Sequence, residues 1–76
     1  MTTVKEILAE MKSPSTSDAA LVQKAYEFGL NAHKDDKRYS GEPYFVHPAA
    51  AAKILAGLGM DAATIVAGLL HDAIED

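Results

Sequence analysis

The segment His71-Asp72-Ala73-Ile74-Glu75-Asp76 sets one imidazole beside three carboxylates. On a helix, consecutive residues lie about 100° apart, so an imidazole nitrogen of His71 and a carboxylate oxygen of Asp72 can converge on one divalent cation. Glu75 follows His71 by four residues and Asp72 by three. If the helix continues, it projects near them, where a carboxylate can orient or deprotonate a water held by the metal. By itself the same stretch also reads as a solvated acidic helix end. Carboxylates at a helix C-terminus run against its dipole, a local cost that a bound cation would relieve. His47 supplies a second imidazole, held between the apolar Tyr44-Phe45-Val46 and Pro48. That rigid, partly buried place suits either a further ligand or a histidine that caps or hydrogen-bonds a neighbouring helix. His33 stands beside Lys34 and near Lys37, where a capping or surface histidine is the simpler reading than a ligand.

Four helices are needed to position these groups. Val4, Ile7, Leu8 and Met11 recur at helical spacing, with Thr3 as N-cap and Glu6 as its capping-box partner. Ser13-Pro14-Ser15-Thr16-Ser17 breaks the chain, and Ser17 or Asp18 caps the next helix. Its apolar stripe is Leu21, Val22, Ala25, Phe28, Gly29 and Ala32, and His33, Lys34 and the run Asp35 to Arg38 close it. Tyr39 to Tyr44 forms a loop around Gly41 and Pro43. Pro48 starts a third helix, with Ile54, Leu55 and Leu58 inward and Gly59 as its left-handed stop. Asp61 caps a fourth, whose face is Ile65, Val66, Leu69 and Leu70. The expected helices run over about 3–11, 18–33, 48–58 and 62–72. No segment alternates as a strand would, so the fold class is all-α. The alanine run Ala49 to Ala52 suits close helix packing.

Composition sets the outer limits. A chain of 76 residues makes one small domain that buries only about 60–65% of its unfolded surface. Apolar residues make up 49% and aromatics 7%, so the core is thin. The absence of cysteine excludes disulfides, thiolate zinc sites and a cysteine nucleophile, leaving His, Asp and Glu as ligands. A net charge of −4 argues against nucleic acid and anionic membrane as partners, which need a positive footprint. A small anionic substrate stays open where a cation or local basic residues offset the repulsion. No stretch reaches the ~20 apolar residues of a membrane span, and no signal peptide is visible, which makes the cytoplasm the expected compartment.

Taken together, Arg38-Tyr39-Ser40-Gly41-Glu42-Pro43-Tyr44-Phe45-Val46-His47-Pro48 and Leu69-Leu70-His71-Asp72-Ala73-Ile74-Glu75-Asp76 closely resemble the start of the HD-type hydrolase domain of the RelA/SpoT homologues. Those enzymes degrade the alarmone guanosine 3′,5′-bis(diphosphate), ppGpp, and many carry a separate synthetase domain. The likeness runs from Asp18 to Asp76. It implies that His47, His71 and Asp72 are three of the protein ligands to Mn²⁺, and that Glu75 and Asp76 activate or orient the attacking water. Arg38 falls where the family packs a basic side chain on guanine, and Ser40 lies in the same nucleotide-contacting loop. Tyr39 replaces a lysine common at that place, and Tyr44 is expected to pack beneath the loop. The implied reaction removes the 3′ pyrophosphate, giving GDP from ppGpp or GTP from pppGpp, together with pyrophosphate. A hard oxygen and nitrogen ligand set fits manganese.

In the family a fourth ligand, an aspartate, comes from a helix further downstream. Nothing between Met1 and Asp76 stands in for it, since Asp61 belongs to the opposite end of the fourth helix. The expectation is therefore the N-terminal portion of an HD hydrolase domain that covers its apolar faces by self-association. The alternative is a non-catalytic helical interaction module or an inactive remnant of such an enzyme.

Overall fold

The computed structural model describes residues 1–75, without the side chains of Asp72, Ile74 and Glu75. Its helices are α1 (Val4–Glu10), α2 (Thr16–Ala32), α3 (Val46–Gly57) and α4 (Ala62–Glu75), and no named strand occurs among the described residues. α4 packs against α2 and α3, and α1 rests on α3 and α2.

The helix starts are set by side-chain caps. Thr3 and Glu6 form the expected capping box on α1. The Asp61 carboxylate accepts from the Thr64 N–H at 2.8 Å and so starts α4. For α2 the cap is Ser15, whose hydroxyl accepts from the Asp18 N–H, rather than Ser17 or Asp18. Ser15 has the extended backbone that a cap needs, φ −66° and ψ 161°, so the helix begins at Thr16, once the proline and the cap are passed. α3 starts at Val46, two residues ahead of Pro48. The first bond back to the cap, Ala49 N–H to Phe45 C=O at 3.1 Å, lies just after the proline, whose missing N–H is therefore not needed. His47 thus sits within the first turn of α3. Gly59, at φ 81°, follows the last turn as expected.

Two inward faces differ from the sequence reading. α2 buries Val22, Ala25, Tyr26 and Gly29, while Leu21 and Phe28 are exposed. Val22, Ala25 and Gly29 face inward as expected, and the buried face is turned by about half a residue, or roughly 50°, so that Tyr26 replaces Leu21, Phe28 and Ala32. That turn lets the Tyr26 hydroxyl donate to the Thr2 carbonyl at 2.6 Å and brings Gly29 against α4. α3 buries Pro48, Ala49, Ala52 and Ala56, whereas Ile54 and Leu58 are 64% and 66% exposed. Because α3 is apolar almost all round, periodicity could not select its inward side. The alanine side wins because it allows closer approach of the helices, and Lys53 reaches Glu6 of α1 at 3.3 Å beside it.

Phe45 lies at the centre, 1% exposed, edge-on to Tyr26 with ring centroids 5.1 Å apart. It occupies the space that the absent side chain of Gly29 leaves. A Cβ at Gly29 would come within 2.6 Å of Phe45 Cε1 and 3.0 Å of the Leu69 carbonyl oxygen.

Gly29→Ala is therefore expected to cost about 1–3 kcal/mol in overpacking, more than the ~1 kcal/mol of helix propensity it gains. The thermal midpoint should fall by roughly 5 °C. Gly57→Ala meets only the flexible Glu10 carboxylate and should stay within about 0.5 kcal/mol of the parent. Thermal denaturation followed by circular dichroism compares the two, and equal midpoints would remove Gly29 as a packing constraint.

Stability should also carry a signature in acid. The Thr64 hydroxyl and N–H hold the Asp61 carboxyl below the ordinary carboxylate range. The Thr3 N–H, with Lys53 and the Thr3 hydroxyl, does the same for Glu6. Both groups bind fewer protons folded than unfolded, so their contribution is complete above the unfolded pKa and is lost as pH falls through the folded one. Asp61→Asn keeps a capping oxygen but does not titrate. It should match the parent near pH 7 and lose less stability below about pH 4. Identical acid limbs in urea titrations would refute the assignment.

Candidate metal and nucleotide site

Between Ala32 and Val46 the chain makes a narrow loop that closes on itself. The Tyr44 N–H donates to the Asp36 carbonyl at 3.0 Å, and Lys37 and Pro43 form an isolated antiparallel bridge. The Arg38 N–H bonds the Glu42 carbonyl at 2.9 Å, and the Gly41 N–H bonds the Arg38 carbonyl at 2.8 Å. Arg38 to Gly41 is thus a hydrogen-bonded four-residue turn, and Gly41 ends it at φ 88°, a conformation that glycine adopts without steric cost. Tyr39 stands fully exposed at the tip.

The loop borders two open cavities. The larger, about 640 Å³, is lined by Lys37, Arg38, Tyr39, Ser40 and Tyr44. Two cations, a hydroxyl and two aromatic rings make a surface able to meet both the phosphates and the base of a nucleotide. The second cavity, about 280 Å³, has Arg38, Tyr44, His47, Ala51, Gly68 and His71 in its wall. Arg38 and Tyr44 belong to both walls, so the two spaces adjoin.

His47 of α3 and His71 of α4 therefore face one space although 24 residues separate them. The His71 Nδ1 lies 3.4 Å from the Gly68 carbonyl one turn earlier. A carbonyl only accepts, so in this contact Nδ1 is the donor. The His47 Nε2 lies 3.2 Å from Glu42 Oε1. An ionised carboxylate accepts in the same way, leaving the His47 lone pair on Nδ1. Two imidazoles on one cavity, each with its second nitrogen against an oxygen acceptor, fit a divalent cation. Among the described residues no three His, Asp or Glu side chains form a metal-holding group. The side chains of Asp72 and Glu75 lie outside the described residues, although both positions belong to α4. Asp76 lies outside them altogether.

A family model described as "HD domain" matches residues 25–76. The chain belongs to the HD domain family. HD domains are metal-dependent hydrolases. This HD domain is 47% identical over 73 residues, 96% of its length, to the guanosine-3′,5′-bis(diphosphate) 3′-pyrophosphohydrolase of Aquifex aeolicus. It is 52% identical over 60 residues, 79% of its length, to the bifunctional (p)ppGpp synthase/hydrolase RelA of Mycobacterium tuberculosis. To the GTP pyrophosphokinase of Streptomyces coelicolor it is 51% identical over 61 residues, 80% of its length. These matches cover 10%, 8% and 7% of the relatives, so the chain spans a tenth or less of the length of the curated relatives it matches. The resemblance to RelA/SpoT homologues thus holds over most of the chain.

Three residues carry more of the arrangement than their sequence positions suggested. Glu42 meets His47, and Tyr44 lines both cavities as well as packing beneath the loop. His33 is the C-cap of α2, as the capping reading expected, but it is buried and not at the surface, and its ring bonds Asp36. Only the three-residue spacing from His33 to Asp36 hinted at that contact. Among the described residues no helix is long and apolar enough to cross a membrane.

Adding Mn²⁺ in small steps should broaden the ring resonances of His47 and His71 together, well before those of His33. Paramagnetic broadening detects even weak binding. Equal broadening of all three histidines would place the cation elsewhere.

Proposed function

We propose that this HD domain contributes the metal and nucleotide site of a Mn²⁺-dependent hydrolase that removes the 3′ pyrophosphate of ppGpp. The reading is carried by one observation: His47 and His71 line a cavity that adjoins, through Arg38 and Tyr44, a second cavity lined by cations and aromatic rings. The sequence likeness to a guanosine-3′,5′-bis(diphosphate) 3′-pyrophosphohydrolase adds the substrate class.

In this reading His47, His71 and Asp72 hold the cation, which when bound supplies charge neutralisation at the diphosphate and a lower pKa for water. Arg38 stacks on the guanine, and Lys37 and Ser40 meet phosphate or ribose oxygens. Glu75 accepts the proton of the attacking water, and Asp76 holds that water in line with the scissile P–O bond. The 3′ oxygen leaves and takes up a proton from solvent, so that ppGpp gives GDP, and pppGpp gives GTP, with pyrophosphate as the second product. Manganese fits because all candidate ligands are hard oxygen and imidazole donors. We assign the reaction to the cytoplasm.

The alternative, a helical interaction module, draws on the exposed Leu21, Phe28, Ile54 and Leu58. These apolar groups would support self-association.

The test uses the longest reading frame that carries the chain, assayed for release of pyrophosphate from ppGpp with Mn²⁺ as the variable. His71→Ala and Asp72→Ala should lose metal affinity and hydrolysis together. Glu75→Gln should keep the metal and lose roughly 100-fold or more in kcat, the usual worth of a positioned general base. Full hydrolysis by His71→Ala at limiting Mn²⁺ would overturn the proposal. A protein that neither binds Mn²⁺ nor hydrolyses ppGpp, yet self-associates in sedimentation, would be the interaction module.

A further inference from the structure

Among the described residues His33 is the single buried polar side chain, 7% exposed, and it belongs to neither cavity wall. It ends α2 as the C-cap. Its Nδ1 donates to Asp36 Oδ2 at 2.9 Å, while its ring stacks on Tyr44 with centroids 4.8 Å apart and planes 30° from parallel. The buried Nε2 has no partner. That orphan nitrogen is a cost that a phenyl ring at the same place would not carry, and a phenyl ring would stack equally well. Packing alone therefore gives no reason for an imidazole here. The bond to Asp36 gives one.

Asp36 is gripped three times: its carboxylate by His33 Nδ1, its N–H by the His33 carbonyl at 3.0 Å, and its own carbonyl by the Tyr44 N–H at 3.0 Å. The three residues close a triangle where the chain enters and leaves the loop. The backbone bonds above that triangle stay within the loop: the Lys37–Pro43 bridge and two bonds around Arg38. The returning limb is also tied to α3, by Glu42 on His47 at 3.2 Å and by the Val46 N–H on the Pro43 carbonyl at 3.2 Å, so the triangle is what joins the outgoing limb at Asp36 to that anchored side.

We propose that His33, Asp36 and Tyr44 form a clamp at the base of this loop, with His33 and Asp36 as positioning residues that set Arg38 and Ser40 for the nucleotide. The second half of the statement rests on the reading of the loop as nucleotide-binding. The clamp works by removing alternative loop conformations before substrate arrives, so the nucleotide does not bear the cost of ordering it.

The experiment combines amide hydrogen exchange with ppGpp binding by calorimetry in the presence of Mn²⁺, on the parent, Asp36→Ala, Asp36→Asn and His33→Phe. Asp36 is exposed, so its variants leave the core intact and carry the test even if His33→Phe does not fold. Asp36→Ala and His33→Phe should speed exchange at the Arg38, Gly41 and Tyr44 amides by about tenfold, the worth of one hydrogen bond to a charged group. Exchange within α4 should not change, and ppGpp affinity should weaken by a similar factor. Asp36→Asn retains an acceptor and should restore both. His33→Phe should keep or raise the thermal midpoint, the opposite of what a purely structural histidine would give. Unchanged exchange at the three amides in Asp36→Ala, or a uniform rise through α2 and α4, would overturn the clamp. Faster loop exchange with unaltered ppGpp affinity would overturn the positioning role alone. If the parent itself binds no ppGpp, the nucleotide reading fails, while the exchange data still decide the clamp.

Discussion

The burial of Phe45 against Gly29 is the contact on which the rest of the arrangement depends. Phe45 is the residue before α3, the edge-on partner of Tyr26 on α2, and the neighbour of the place where Gly29 meets the Leu69 carbonyl of α4. One side chain thus fixes three helices at a single point. His47 follows it by two residues and His71 follows Leu69 by two, so the positions of both imidazoles are inherited from this contact. A core with few aromatic rings makes each of them count, since Phe and Tyr contribute far more buried area apiece than alanine.

The same contact explains how a chain of net charge −4 can offer a site for an anion. Lys37 and Arg38 are gathered in a loop whose return strand, Tyr44, leads directly to the anchored Phe45. Their charge is placed beside the histidine cavity and is not spread over the surface. Local density, not the net balance, decides whether a phosphate is attracted at distances shorter than the screening length, about 8 Å at physiological salt.

Much of this was legible in the sequence, for reasons that differ by element. The four helices follow from apolar spacing, and the caps at Thr3 and Asp61 follow from local side-chain chemistry that needs no tertiary information. The faces of α2 and α3 did not follow. On α2 the apolar stripe is wide enough to be turned by about half a residue about Val22, Ala25 and Gly29, and the approach of Gly29 to Phe45 selects Tyr26 over Phe28. On α3 the residues are apolar nearly all round, and the smallest side chains, not the largest, face inward because close helix contact outweighs the burial of Ile54 and Leu58. Candidate site residues were readable as types and motifs, but their meeting was not, because His47 and His71 share a cavity only through the packing of α3 on α4. His33 was legible as a cap of α2, but its charged neighbours gave no sign that it is buried. Its burial comes from Tyr44, eleven residues away, whose ring covers it.

The placement of charge along the helices adds a last step. Acidic residues stand at three helix starts, Glu6 on α1, Asp18 on α2 and Asp61 before α4, each on the side that the helix dipole favours. The end of α4 reverses the pattern. Asp72 and Glu75 fall within its final residues, and no basic residue stands in its last turn. α1 also ends on an acidic residue, Glu10, with no basic residue in its last turn, but α4 sets two acidic positions, Asp72 and Glu75, in its last four and so bears the larger unfavourable local field. Consistency across levels fails most often where function requires it, and this failure coincides with the motif beside His71. A divalent cation is the simplest charge that reconciles the two, since it is attracted by the carboxylates and by the negative helix end alike. The opposed dipole thus points to the same place as the paired histidines, by an argument that uses neither their geometry nor any relative.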